Sequence, residues 1–204
     1  MPDRRIMTDQ PDETYLLLMD PEWQRREGDE TPPMRSVVGL WPLSADGVMG
    51  RFRSNPEYIP LRPESPTDPI DALLRLAMRG DATMEQVQLV LRDTLLDLAM
   101  NGDGRPLVVR SPDDVPCVVV ATSAQHQART FAPEWHRIEL DTLIERLADG
   151  IDVMINPNGP ASVRLTGDFL RHTATLSAEE VAALQATFRG EESVTVVPWE
   201  MGAR

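Results

Sequence analysis

The stretch PLVVRSPDDVPCVVVAT (residues 106–122) decides the fold of this chain. It holds two apolar runs rich in valine, PLVVR and VPCVVVAT, which are separated by the turn-forming sequence SPDD. Runs of this length and composition predict two short strands. Because helical patterns flank them on both sides, the stretch predicts a small mixed sheet packed against helices, in the α/β (α+β) class.

Two helices are predicted before this stretch. Asp68-Pro69 supplies a capping side chain and a proline at the first helical position for IDALLRLAMR, which Gly80 ends. Thr83 and Gln86 form a capping-box pattern for a second helix, MEQVQLVLRDTLLDLAM (residues 84–100). Its apolar residues recur every three or four positions and predict a core face formed by Val87, Leu91, Leu95 and Leu98.

More strands and helices are predicted after the stretch. HRIEL (residues 136–140) and IDVMIN (151–156) predict strands, and DTLIERLADG (141–150) predicts a helix between them. SVRLT (162–166) predicts a strand that pairs back against IDVMIN. A capping-box pattern at Ser177 and Glu180 predicts a last helix that ends at Gly190, and SVTVVP (193–198) predicts a final strand.

The first third of the chain has a different composition. Residues 1–35 are rich in Asp, Glu, Arg and Pro and predict a flexible acidic segment, in which the apolar residues Leu16, Leu17, Leu18 and Trp23 are candidates to dock on the domain. VVGLWPLSADGVMGRF predicts a β-hairpin whose loop contains Asp46-Gly47, and RSNPEYIPLRPESPTDP (53–69) predicts an extended arm because its prolines exclude a helix. We therefore expect one domain over residues 36–200, in which the hairpin and the arm occupy residues 36–69.

The charge balance and the single cysteine limit the function classes. The chain has 33 acidic and 20 basic residues and a net charge of −13, which argues against a nucleic-acid-binding protein. We find no apolar run long enough for a membrane span and no apolar core of a signal peptide, so a cytoplasmic location is predicted. Cys117, in a run of valines, predicts a buried thiol.

No catalytic constellation is predicted. The sequence lacks a G-x-S-x-G motif, and His126, His136 and His172 have no companion at a metal-binding spacing. NGDGRP contains G-x-G, but it lies at the exit of a predicted helix and not between a strand and a helix. We therefore predict no enzyme activity, no catalytic residue, no metal and no cofactor.

The turn in INPNGP (residues 155–160) is the best candidate contact surface. Pro157 presets φ for a turn and Asn158-Gly159 tolerate left-handed conformations, so turn chemistry alone accounts for the residue types. A rigid polar turn is also suited to contact another protein. The predicted partner-contact residues are Asn156, Pro157, Asn158, Gly159 and Arg164 around the turn, and Trp41, Asn55, Pro56 and Tyr58 in the hairpin and the arm.

Several of these segments together resemble a known family. The paired helices, PLVVRSPDDVPCVVVATS, HRIEL with DTLIERLADG, and IDVMINPNGPASVRL resemble the SseB-like domain of actinobacterial proteins associated with type VII secretion, over roughly residues 70–172. The most recognisable element is the strand that ends in Ile155-Asn156-Pro157, followed by Gly159-Pro160 and a second strand. The upstream segment looks like the leader of the type VII-associated subgroup through Gly39, Trp41, Gly47, Gly50, Phe52, Asn55, Pro56, Tyr58 and the PTDP at 66–69.

The resemblance implies an accessory or regulatory role around a secretion system. We therefore predict a non-enzymatic, cytoplasmic protein-interaction module whose partner is a secretion component or a cargo protein. A basic protein is one candidate for that partner. Two alternatives stay open. One is an anion-binding or enzymatic domain with a pocket near Asn156, Arg164 and His172, and the other is an immunity-type protein that neutralises a basic toxin. The oligomeric state is also open, because an edge strand such as SVTVVP could pair between two copies in a dimer.

Overall fold

A computed structural model describes residues 14–24, 31–44, 50–189 and 199–200 of the chain. These residues form two sheets and six α-helices, which confirms the α+β class. The helices are α1 Pro69–Arg79, α2 Met84–Asp93, α3 Ala124–Gln127, α4 Leu140–Arg146, α5 Gly167–Thr175 and α6 Ala178–Arg189, with a 3-10 turn at Met34–Ser36.

The smaller sheet has four antiparallel strands in the order β10-β1-β2-β3. Its strands are β1 Thr14–Met19, β2 Val37–Leu43, β3 Arg53–Ser54 and β10 Trp199–Glu200. The strand that pairs with β2 is β3, at the start of the predicted arm and directly after the predicted hairpin, whose loop at Asp46-Gly47 lies outside the described residues. The predicted strand SVTVVP and the predicted helix stop at Gly190 lie outside them as well.

Part of the segment predicted to be flexible belongs to this sheet. The apolar run YLLLM is paired along β2, with Leu16 opposite Trp41, and the next residue, Asp20, is buried. Residues 14–20 are therefore not part of a flexible segment, because strand pairing and a buried carboxylate fix this part of the backbone. Residues 1–13 and 25–30 lie outside the described part of the chain.

The larger sheet is mixed. Its main order is β7-β4-β6-β8-β9, and β5 lies beside β6. Its strands are β4 Leu96–Met100, β5 Val108–Arg110, β6 Pro116–Ala121, β7 Glu134–Ile138, β8 Asp152–Ile155 and β9 Val163–Leu165. The pair β6 and β8 runs parallel, and the other pairs of this sheet run antiparallel, including the predicted pairing of β8 with β9.

The helix predicted over residues 84–100 is shorter than expected. Its start is confirmed, because Thr83 and Gln86 form a full capping box, but α2 ends at Asp93. The next residues form β4, which pairs with both β6 and β7 and is buried along its whole length. The apolar repeat alone predicted a continuous helix. The conformation of residues 96–100 is decided instead by pairing with two distant strands, which leaves no local pattern in the sequence. Leu95, predicted to be part of the core face, is exposed.

The main core lies between the helices and the larger sheet. Ile70 and Leu74 of α1 and Leu91 of α2 are fully buried against strand residues such as Leu98 and Ile155. Burial of each such side chain contributes about 1.5–3 kcal/mol. Asp68 caps α1 and Gly80 ends it with a φ of 82°, as predicted. This packing places the first turn of α1 over the carboxyl ends of β6 and β8.

In the described part of the chain, none of the helices combines the length and the apolar character that crossing a membrane requires.

Candidate functional site

A polar network joins the carboxyl ends of the parallel strands β6 and β8 to the start of α1. The backbone N–H of Thr122 donates to the amide oxygen of Asn156 over 2.9 Å, and Asn156 Nδ2 donates to the Thr122 hydroxyl over 2.8 Å. That hydroxyl donates in turn to Asp68 Oδ2 over 2.6 Å. Sheets with parallel strands commonly bind ligands at such carboxyl ends, so this end of the sheet is a candidate site.

Two buried carboxylates at the start of α1, the N-cap Asp68 and Asp71 of the first turn, have pKa values that are displaced in opposite directions. Burial raises the pKa of Asp68, and hydrogen bonds from Thr122 and from the Asp71 backbone N–H offset this only in part. Burial also raises the pKa of Asp71, but His126 and Arg75 outweigh it and hold the pKa below its usual range. Arg75 pairs with both oxygens of Asp71 at 3.1 Å. Displaced pKa values of this kind are frequent at functional sites and also occur in structural ion-pair networks.

His126 lies beneath the turn and next to these carboxylates. Its side chain is 1% exposed, and its Nε2 is 3.5 Å from Asp71 Oδ2. Neither ring nitrogen makes a hydrogen bond of good geometry to another described residue. The ring is therefore held by packing and by its proximity to Asp71.

Ser123, His126 and Asp71 are the residue types of a serine hydrolase, but they are not arranged as in one. The hydroxyl of Ser123 is 2.9 Å from that of Thr67, and it makes no hydrogen bond to His126. A nucleophile and a general base would need that contact, and substrate would need access to both groups. Cys117 is also unsuited to act as a nucleophile, because burial raises the pKa of its thiol and so disfavours the reactive thiolate.

Among the described residues, no group of three His, Cys, Asp or Glu side chains is arranged to hold a metal ion. The buried network instead fastens the turn at residues 156–160 to the rest of the sheet.

The turn itself adopts left-handed conformations at its two asparagines. Asn156 has a φ of 50° and Asn158 a φ of 61°, which asparagine tolerates better than most residues. The left-handed conformation predicted for Asn158 is confirmed, whereas Gly159 does not have a positive φ. Glycine is needed there for space: an added Cβ would lie 2.9 Å from the Asn156 carbonyl oxygen and 2.9 Å from His126 Nδ1.

The loop between α3 and β7 is fastened to this turn. The Thr130 hydroxyl donates to the carbonyl of Pro157 over 3.3 Å, and Asn158 Nδ2 donates to the carbonyl of Arg129 over 3.2 Å. Phe131, which follows Thr130, is 89% exposed, more than any other large apolar side chain whose burial the structure describes. We name Arg129, Phe131, Asn158 and Pro160, all exposed, the turn surface.

Sequence reasoning missed Phe131. A lone phenylalanine in ARTFAPEW is as typical of a core position as of a surface one. The short helix α3 and the loop geometry that expose it depend on contacts with the turn almost 30 residues later. No local pattern in the sequence reveals them.

The residues predicted around the turn fall into different environments. The prediction of an exposed turn is wrong at Asn156, which is 0% exposed because Thr122 binds its side chain and its backbone continues β8. Pro157 and Gly159 are half-buried and Asn158 is exposed. Arg164, half-buried on β9, pairs with Asp152 and Asp113 and so joins β9 to two neighbouring segments.

The residues predicted in the hairpin and the arm mainly hold these segments together. Trp41 packs on Phe52 with ring centroids 4.8 Å apart, and the Asn55 amide donates to the carbonyls of Met34 and Val37. Tyr58 is buried, and its hydroxyl lies 3.0 Å from Asp20 Oδ2 and 2.9 Å from the carbonyl of Pro66. Burial first, and then Asp20, raises the pKa of the Tyr58 phenol. The contact predicted at Tyr58 conflicts with this burial, whereas Pro56 is exposed.

The three residues predicted to form an anion pocket lie in different environments. Asn156 is bound to Thr122, Arg164 is paired with two carboxylates, and His172 is exposed on α5. No hydrogen bond or ion pair joins any two of these side chains, all of which the structure describes.

Comparisons with protein-family models, with curated proteins and with solved structures give no match. The resemblance to the SseB-like domain therefore stays a prediction.

Proposed function

We propose that this protein is a non-enzymatic interaction module of the cytoplasm that binds a protein partner through the turn surface. The observation that carries the proposal is Phe131, an aromatic side chain that is almost fully exposed on a fastened loop. Aromatic and arginine side chains are the usual anchors of protein interfaces, and a fixed loop loses little entropy on binding. Arg129 lies on the same surface and adds the second kind of anchor.

The buried cluster beneath the turn supports an interaction role over a catalytic one. His126, Asp68 and Asp71 are withdrawn from solvent, so a substrate has no direct path to them. Asp68 is linked by hydrogen bonds through Thr122 to Asn156, and His126 packs against Gly159, so the cluster supports the turn from beneath, which favours binding.

The class of partner follows from the resemblance and from the charge. The resemblance points to a component or cargo of a type VII secretion system. A net charge of −13 favours a basic partner, because it accelerates encounter at low ionic strength. On this proposal Phe131 sets the lifetime of the complex, and the overall charge sets the association rate.

Capture from an actinobacterial lysate tests the proposal with three single variants. Phe131→Ala removes the anchor of the turn surface, Ile59→Ala removes an exposed apolar side chain of the arm, and Met78→Ala is a matched control on exposed α1 surface. We expect secretion components to be enriched by the wild type and by Met78→Ala, and to be lost with Phe131→Ala. Truncation of an anchor costs about 2 kcal/mol or more, which is about 30-fold in affinity.

The three variants also separate the two predicted surfaces. Loss of capture with Ile59→Ala alone would assign the contact to the arm and contradict the role of the turn surface. Equal capture by all three variants would contradict both. Repeating the capture at an ionic strength of about 0.5 M separates the two contributions to binding, because salt screens the attraction between charges and leaves the apolar contact largely unchanged.

A further inference from the structure

A second candidate binding surface lies at the opposite end of β8 from the turn. It is an open groove of about 440 Å³ beside β5 and the end of α4. Much of its lining is apolar, including Leu107, Val108, Val118 and Ile151. Sites for small molecules commonly have volumes of about 300–1,000 Å³ and a mainly apolar lining with few polar groups.

The charged residues that line this groove are both arginines. Arg105 and Arg146 belong to the lining, and no Asp or Glu does. Acidic residues outnumber basic ones 33 to 20 in the chain, so a purely cationic lining runs against its overall charge. The groove is therefore complementary to an anion, although the protein as a whole repels one.

The guanidinium groups of both arginines are available. Arg146 is exposed, and its side chain makes no ion pair or hydrogen bond within the described ranges. The side chain of Arg105 is 82% exposed, and its Nε lies 4.0 Å from Asp103 Oδ2, the outer limit of an ion pair. Exposed pairs of that kind contribute little, so a bound carboxylate can compete with Asp103 for Arg105.

The apolar part of the groove is also available. Val108 is exposed although it lies on a strand, and Leu107 beside it is half-buried. Covering these side chains removes apolar surface from water, which favours a ligand with an apolar body.

We propose that this groove binds a small organic carboxylate. Its apolar body covers Leu107, Val108 and Ile151, and its carboxylate pairs with Arg146 and Arg105. Arginine suits this task because its planar group can donate two parallel hydrogen bonds to a carboxylate. The proposal is independent of the partner contact at the turn surface.

Titration of the isotope-labelled full chain with octanoate, followed by amide NMR shifts, tests this site. Octylammonium and 1-octanol serve as probes of equal chain length with a cationic and a neutral head. We expect saturable shifts with octanoate at Leu107, Val108 and Ile151, and much weaker ones with the other two probes. Arg146→Glu should weaken octanoate binding on the order of tenfold, as expected when a hydrogen bond to a charged group is lost.

A matched variant controls for the change of net charge. Arg35→Glu alters the charge by the same amount at an exposed arginine near the smaller sheet, and it should bind octanoate like the wild type. Equal shifts with octanoate and 1-octanol, shifts located away from the groove, or unchanged affinity in Arg146→Glu would each overturn the proposal.

Discussion

The buried carboxylate of Asp20 leads to a stability prediction that can be worked out atom by atom. Its Oδ1 accepts hydrogen bonds from the Ser65 hydroxyl at 3.0 Å and the Glu22 backbone N–H at 2.9 Å. Its Oδ2 accepts from the Tyr58 hydroxyl and from the Leu61 backbone N–H, both at 3.0 Å. This one side chain thus fastens the end of β1 to the proline-rich arm.

Asp20→Asn preserves the shape of the side chain but removes one of its two acceptors. Each oxygen receives one backbone N–H, so in either orientation of the amide its NH₂ group faces a backbone donor. The hydroxyl groups can rotate to other acceptors, and a backbone N–H cannot. One buried unsatisfied donor costs about 1–3 kcal/mol, and with the loss of charge-assisted bonds we expect a total of about 2–4 kcal/mol.

Urea unfolding followed by tryptophan fluorescence measures this cost. Burial raises the pKa of Asp20, but its four hydrogen bonds hold the pKa below the usual range. A carboxyl group whose pKa is depressed in the fold stabilises the folded state at pH values above its unfolded-state pKa of about 3.9. This contribution is lost as the pH falls through the folded-state pKa. The gap in the free energy of unfolding between wild type and variant should therefore be full at neutral pH and shrink below about pH 4.

Asp81→Asn is the matched control, because Asp81 is exposed and should change stability by less than about 0.5 kcal/mol. A cost of Asp20→Asn within that same range at neutral pH, or a gap that does not depend on pH, would refute the reasoning.

Packing and ionisation yield three other predictions. Gly159→Ala should cost about 1–3 kcal/mol in urea unfolding, because its Cβ would press on His126, and a neutral result would contradict the close approach. Leu98→Ala should cost about 2–5 kcal/mol and Leu95→Ala under about 1 kcal/mol, since only Leu98 is buried; equal costs in the same assay would argue against the strand. Because the pKa of Tyr58 is raised in the fold, its neutral phenol stabilises the folded state at pH values below the unfolded-state pKa of about 10, and this contribution is lost as the pH rises from there through the folded-state pKa. Thermal melts above about pH 10 should therefore show the wild type losing stability more steeply than Tyr58→Phe, and parallel curves would contradict this.

Features that depend on near neighbours could be predicted from the sequence. The capping box of Thr83 with Gln86, the Asp68 cap and the glycine that ends α1 each involve residues a few positions apart. The conformation of β4 could not be predicted, because its partners β6 and β7 come from residues 116–121 and 134–138. An apolar run in isolation fits a buried helix as well as a buried strand.

The candidate site shows the same limit. Turn chemistry at Asn156 to Gly159 could be predicted, but the burial of Asn156 and the exposure of Phe131 could not. Both follow from contacts between segments about 30 residues apart, which bring α3 and its loop against the turn. The local distribution of charge could not be predicted either, since the arginine-lined groove belongs to a chain whose net charge is strongly negative.

Photo-crosslinking from the turn surface tests the central claim most directly. The photoreactive residue p-benzoylphenylalanine is placed at position 131 in one variant and at position 78 in another, and both are irradiated in actinobacterial cells. An interaction module that binds through the turn surface should crosslink to a secretion component or cargo from position 131 and not from position 78, where the exposed apolar residue Met78 stands. Crosslinks from position 78 alone, or the same products from both positions, would contradict the account.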